Sequence, residues 1–108
     1  MEKRNAQRIN TENILSFIKF KDNGYEVVES LGVTKNISEN GILFKTPTTF
    51  SEDYEIRIDL ALQESILNII GEVVRVEKEN DGYIVAVQFK DIDKNDLKVL
   101  KEILGEKE

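Results

Sequence analysis

Between Ile14 and Phe89 the apolar residues recur at every second position in one stretch after another, a period that commits the chain to β-structure. Residues 14–20 put Ile14, Ile18 and Phe20 on one face and Leu15 and Phe17 on the other. Asp22-Asn23-Gly24 follows, a run of residues that tolerate positive φ and mark a turn. Residues 25–31 read as a short strand or an irregular return; Val33, Lys35 and Ile37 resume the alternation. Ile42 and Phe44 share a face within residues 41–46, and Pro47 opens a polar loop. The cleanest pattern lies over residues 54–62, with Ile56, Ile58, Leu60 and Leu62 facing away from Glu55, Arg57 and Asp59. Gln63-Glu64 links it to a long strand over residues 65–78, apolar in both phases: Leu67, Ile69 and Val73 in one, Ile66, Ile70, Val74 and Val76 in the other. That double pattern predicts burial on both sides, or a bend at Gly71. Asn80-Asp81-Gly82 marks a hairpin, and Tyr83, Val85, Val87 and Phe89 form the inward face of the last strand.

After Asp91 the period changes. Asp93 suits a helix N-cap, Leu97, Leu100, Ile103 and Leu104 share one side of a helix over about residues 93–104, and Gly105 suits its stop. The expected fold is mainly β, with about six antiparallel strands and one amphipathic C-terminal α-helix lying on them. Closing the sheet into a barrel removes long apolar edges. A chain of 108 residues forms one such domain without needing disulfides or metal. Its expected division is a flexible N-terminal arm at residues 1–12, then a barrel with its helix over residues 13–104.

The absences narrow the chemistry. With no cysteine there is no thiolate, disulfide or sulfur-held zinc, and with no histidine the usual neutral-pH base and commonest metal ligand are missing. The carboxylates are scattered rather than clustered, so neither a metal site nor a catalytic pair is expected, and the chain reads as a non-enzyme without a cofactor. No apolar run is long enough to span a membrane, and no apolar stretch follows the basic N-terminus as in a secretory signal. A reducing cytoplasm is the natural expectation.

A net charge of −6 argues against binding nucleic acid polymers. Its distribution says more. Lys3, Arg4 and Arg8 stand against only Glu2 in the first eight residues, and Arg4 and Arg8 are two of four arginines in the chain. A small positive patch on an acidic body attracts a small anion without holding a long polyanion. Arginine bonds phosphate bidentately and stacks on flat rings, which lysine does not.

Two polar motifs therefore stand out. Arg4-Asn5-Ala6-Gln7-Arg8 is R-x-x-x-R at the mouth of the first predicted strand, and Asn36-Ile37-Ser38-Glu39-Asn40-Gly41 is N-x-S-x-x-G at a later turn. With Gly41-Ile42-Leu43-Phe44, Gly71-Glu72-Val73-Val74-Arg75-Val76 and Gly82-Tyr83-Ile84-Val85-Ala86-Val87-Gln88-Phe89, in this order and strand context, the whole chain resembles a PilZ domain, the bacterial receptor module for cyclic di-GMP.

The resemblance implies a six-stranded PilZ-type β-barrel with a C-terminal helix. It also implies cyclic di-GMP as ligand, with Arg4 and Arg8 gripping it and Asn36, Ser38 and Gly41 forming the pocket wall. Asn5 and Gln7 make this arm less basic than in many members, and Asn36 stands where aspartate is commoner. The chemistry agrees, because arginine serves both phosphates and guanine O6/N7 edges, and Asn36 offers donor and acceptor atoms. Lys3 and Arg75 are further candidates, although a neighbouring carboxylate competes for Arg75. Binding is expected to order the arm and alter contacts with a downstream protein.

Blander readings compete. The arginines are also what a solvated N-terminus carries, and Asn, Ser and Gly fill ordinary turns. A PilZ-fold protein-interaction module without ligand is the main alternative, and the intact motifs argue against it. A barrel for single-stranded nucleic acid would want exposed aromatics on a basic face, whereas the Phe and Tyr residues here mostly take core phases.

Overall fold

The computed structural model describes the backbone of residues 8–10, 14–20, 28–48 and 54–106, and the side chains of residues 16–18, 30–48 and 54–105. Among the described residues seven strands precede one helix: β1 (Arg8–Asn10), β2 (Ile14–Phe20), β3 (Val28–Ser38), β4 (Gly41–Thr46), β5 (Glu55–Leu62), β6 (Ser65–Glu79), β7 (Gly82–Ile92) and α1 (Lys94–Glu106). All neighbours are antiparallel, and the order β3-β2-β5-β6-β7-β4 closes because β4 also pairs with β3. This is the six-stranded barrel that the alternation calls for. The three-residue β1 is added to β3 on the side that β2 occupies further along, since β4 takes the other side at Asn36 and Ile37.

The inward phases follow the sequence pattern. Ile56, Ile58, Leu60 and Leu62 of β5, Ile42 and Phe44 of β4, and Val85 and Val87 of β7 are buried in one core. Phe17 meets Phe44 across it with ring centroids 5.3 Å apart and planes tilted by 45°, a favourable aromatic geometry. The ambiguous stretch before Val33 resolves as one continuous strand from Val28, running through Gly32. A Cβ at Gly32 would lie 2.8 Å from the Phe44 ring, so the bare backbone makes room for that core aromatic.

The doubly apolar β6 is neither buried on both sides nor merely bent at Gly71. Leu67, Ile69, Gly71 and Val73 point inward, but Val74 and Arg75 are both exposed and Val76 packs on the core. The register explains this: Val73 pairs with Val87 and Arg75 with Ala86, leaving Val74 as an extra residue in a β-bulge. One inserted residue flips the phase, so that beyond the bulge Val76 turns toward the core in place of Arg75. A second irregularity, between Ile70 and Gly71, skips Lys90 on β7 and turns Ile92 inward after Phe89.

Helix α1 seals the core with Leu100, Ile103 and Leu104, all buried. Asp93 stands just before it, and its carbonyl accepts the Leu97 N–H at 2.8 Å, as an N-cap residue does. Asp96 Oδ2 accepts the Asn68 N–H at 3.0 Å, tying the first turn to β6. The helix does not stop at Gly105 but continues to Glu106. Nothing lies within 4 Å of a Cβ built on Gly105, so no packing constraint demands glycine there. Among the described residues no helix is long and apolar enough to cross a membrane.

Candidate ligand-binding cleft

Strand β3 ends and β4 begins within the second motif. Asn36 and Ser38 lie on β3, Glu39 and Asn40 make the turn, and Gly41 opens β4. The turn is held on three sides. Buried Ser38 accepts the Asn40 N–H on its Oγ at 3.2 Å, which leaves its own hydroxyl proton to donate elsewhere. The Asn40 carbonyl accepts the Phe89 N–H of β7 at 2.9 Å, and Glu39 pairs with Lys101 of α1 at 3.6 Å. A Cβ on Gly41 would sit 2.5 Å from the Val87 carbonyl oxygen. The motif glycine is therefore required by the close approach of β7, with ligand access or positive φ unnecessary to explain it.

On the outside of the barrel this turn borders a cleft of about 350 Å³, lined by Asn36, Ser38, Asn40 and Gly41, with Leu43, Val74, Arg75, Ala86 and Gln88 across from them. The volume lies at the small end of the usual range for ligand sites. The registers align much of this lining in one row, because Asn36 pairs with Leu43, Leu43 with Ala86, and Ala86 with Arg75. With strands about 4.8 Å apart, the row spans at most about 14 Å. Its ends are an amide and a guanidinium, and its middle is apolar.

The sequence-derived candidates divide accordingly. Asn36, Ser38, Gly41 and Arg75 line one cleft. Arg8 is described in its backbone only, in β1, where it is registered opposite Ser38, with Asn10 opposite Asn36. Lys3, Arg4 and most of the expected arm at residues 1–12 lie outside the described residues. Arg75 also forms the expected ion pair, its Nε 3.2 Å from Glu77 Oε2. Both side chains are more than half exposed, so the pair contributes at most about 1 kcal/mol and yields easily to another anion. Sequence reasoning missed Leu43, Val74, Ala86 and Gln88. Leu43 and Ala86 carried a usable signal, being apolar residues in the outward phase of their strands. Among the described residues no group of three or more Asp, Glu, His or Cys side chains is arranged to hold a metal ion.

A family model described as "PilZ domain" matches residues 2–106. No curated protein matches the sequence. Among solved structures the chain superposes on the Bacillus subtilis inhibitor of motility (MotI/DgrA) with a TM-score of 0.76 at 15% identity, covering 99% of this chain and 52% of that one. The PilZ domain of YcgR from Escherichia coli with c-di-GMP gives 0.74 at 9% identity, covering 97% and 91%. The K. pneumonia MrkH–c-di-GMP complex gives 0.69 at 21%, covering 96% and 52%. At such identities the likeness is one of fold, and this chain spans about half the length of the first and third of these.

Proposed function

The chain belongs to the PilZ domain family, and from that membership we propose that it is a non-enzymatic receptor for cyclic di-GMP. The observation that carries this reading is the β1–β3 register. It sets Arg8, the second arginine of R-x-x-x-R, opposite Ser38 of N-x-S-x-x-G, on the wall of the cleft. Arg8 and Asn36, 28 residues apart in sequence, thereby lie on neighbouring strands, which supports one shared site for the two motifs. Support also comes from two structural neighbours, YcgR and MrkH, whose structures hold c-di-GMP.

In this reading Arg4 and Arg8 grip the phosphodiesters and stack on the bases, and Lys3 adds charge beside them. Asn36 offers its amide to a guanine edge, Ser38 donates its remaining hydroxyl proton, and Gly41 keeps the wall low. The turn is fixed beforehand by Asn40, Phe89 and Lys101, so little ordering cost falls on that side of the site. The ordering cost falls on the arm ahead of β1, which closes over the ligand in this reading. Its new surface, together with the Glu39–Lys101 link from the turn to α1, passes the signal to a protein partner.

Backbone NMR tests the reading. Adding cyclic di-GMP is expected to shift the amides of Asn36, Ser38, Asn40 and Gly41 and to slow exchange of those at residues 2–7. A spectrum unmoved by the nucleotide would reject the receptor reading in favour of a protein-interaction module.

A further inference from the structure

The outer face of α1 departs from what the helix alone would favour. Leu97 belongs by spacing to the apolar stripe with Leu100, Ile103 and Leu104, and those three are buried. Leu97 is only half-buried, and it is not among the apolar residues that pack on the core, although Val99 is. It lies instead in a surface groove of about 400 Å³, lined also by Lys94, Lys98, Lys101 and Glu102. Positions i, i+4 and i+7 share one side of a helix, so the three lysines form a row about 10 Å long. Lys94 opens the helix, where the macrodipole disfavours a cation, and the last turn, where it would favour one, has no basic residue. Helix stability therefore does not explain the row. Lys101 pairs with Glu39 at 3.6 Å, but among the described residues neither Lys94 nor Lys98 forms an ion pair, in a chain of net charge −6.

We propose that this groove docks an acidic segment of a partner protein, its carboxylates on Lys94 and Lys98 and an apolar side chain on Leu97. The proposal stands apart from the receptor reading, since no residue of the groove lines the cleft. Charge sets the occupant. Two ammonium groups without a carboxylate partner, on an acidic body, are complementary to carboxylates brought in from outside. A second copy of this chain carries the same net charge of −6 and is repelled as a whole. A flat anionic membrane would meet exposed Asp93, next to Lys94, and Glu102 on the rim, and could not enter a groove. A nucleic acid strand needs a longer basic track than three lysines. A short chain segment meets all of these conditions.

The test starts from a random peptide library displayed on phage and panned against the full chain. The strongest binder is resynthesised with a fluorescent label and titrated by anisotropy. Enriched sequences are expected to combine two or more carboxylates with a large apolar residue. The double variant Lys94→Ala/Lys98→Ala should bind the peptide about tenfold more weakly, the loss of two exposed ion pairs. Leu97→Ala should weaken binding about fivefold with its thermal melt unchanged, because that side chain does not pack on the core. Lys78 is exposed on β6 and is not among the residues lining the groove, so Lys78→Ala controls for net charge and should match the parent. No enrichment, enriched sequences without carboxylates, parental affinity in the double variant, or an equal loss in Lys78→Ala overturns the proposal. So does lysine-dependent binding to phosphatidylserine vesicles or to a single-stranded oligonucleotide without an acidic peptide preference, or a dimer in sedimentation that the double variant abolishes.

Discussion

Gly41 illustrates how much one missing side chain decides. The Val87 carbonyl of β7 occupies the space a Cβ would need, and backbone cannot move aside as a flexible side chain would. Gly41→Ala should therefore destabilise the fold by about 1–3 kcal/mol, the usual cost of forcing atoms into a packed site. Chemical denaturation checks this, and an unchanged midpoint would contradict the close approach. Ser38 is similarly committed, buried with its Oγ accepting the Asn40 N–H. Two of the three motif residues thus have structural duties, and Asn36 is the one that the proposed reading assigns chiefly to the ligand. The sequence identified all three, but a glycine in a motif does not say which neighbour crowds it. That information lies in β7, 46 residues downstream.

Elements differ in how plainly they announce themselves. Strand β5 was legible because every second residue from Ile56 to Leu62 is apolar and each is buried. Strand β6 was not, because a bulge depends on how β7 pairs with it, and a strand's own alternation cannot specify its partner's register. Arg75 held the clue, a charged residue at an apparently inward position of an otherwise apolar phase. Strand β1 was hidden for another reason: Arg8-Ile9-Asn10 is too short and polar to show a period, and its pairing is set by β3. Helix α1 was read well at its start and in its apolar stripe, which docking on the barrel then buries. Leu100 is fully enclosed, so Leu100→Ala should cost about 2–5 kcal/mol in a denaturation experiment. A loss below about 1 kcal/mol would mean that the helix is not part of the core.

For the whole molecule, the proposed function has to reconcile a net charge of −6 with a dianionic ligand. The proposed answer concentrates cations on one side of a single cleft. In that reading Arg4 and Arg8 come from the N-terminal segment and Arg75 from the bulge of β6, and the β3–β4 turn beside the cleft is held to β7 by a backbone hydrogen bond. The fold and this wall were both accessible from sequence, the fold through its period and the wall through its motifs. Charge alone did not reveal the cleft, because its apolar middle is assembled from β4, β6 and β7 only when the barrel closes. Titration calorimetry with cyclic di-GMP, comparing the parent with Arg8→Ala, tests the central claim most directly. Removing one partner of a desolvated charged contact costs about 2–5 kcal/mol, so the parent should bind saturably and the variant at least tenfold more weakly. Absence of binding by the parent, or equal affinity in the variant, would contradict it.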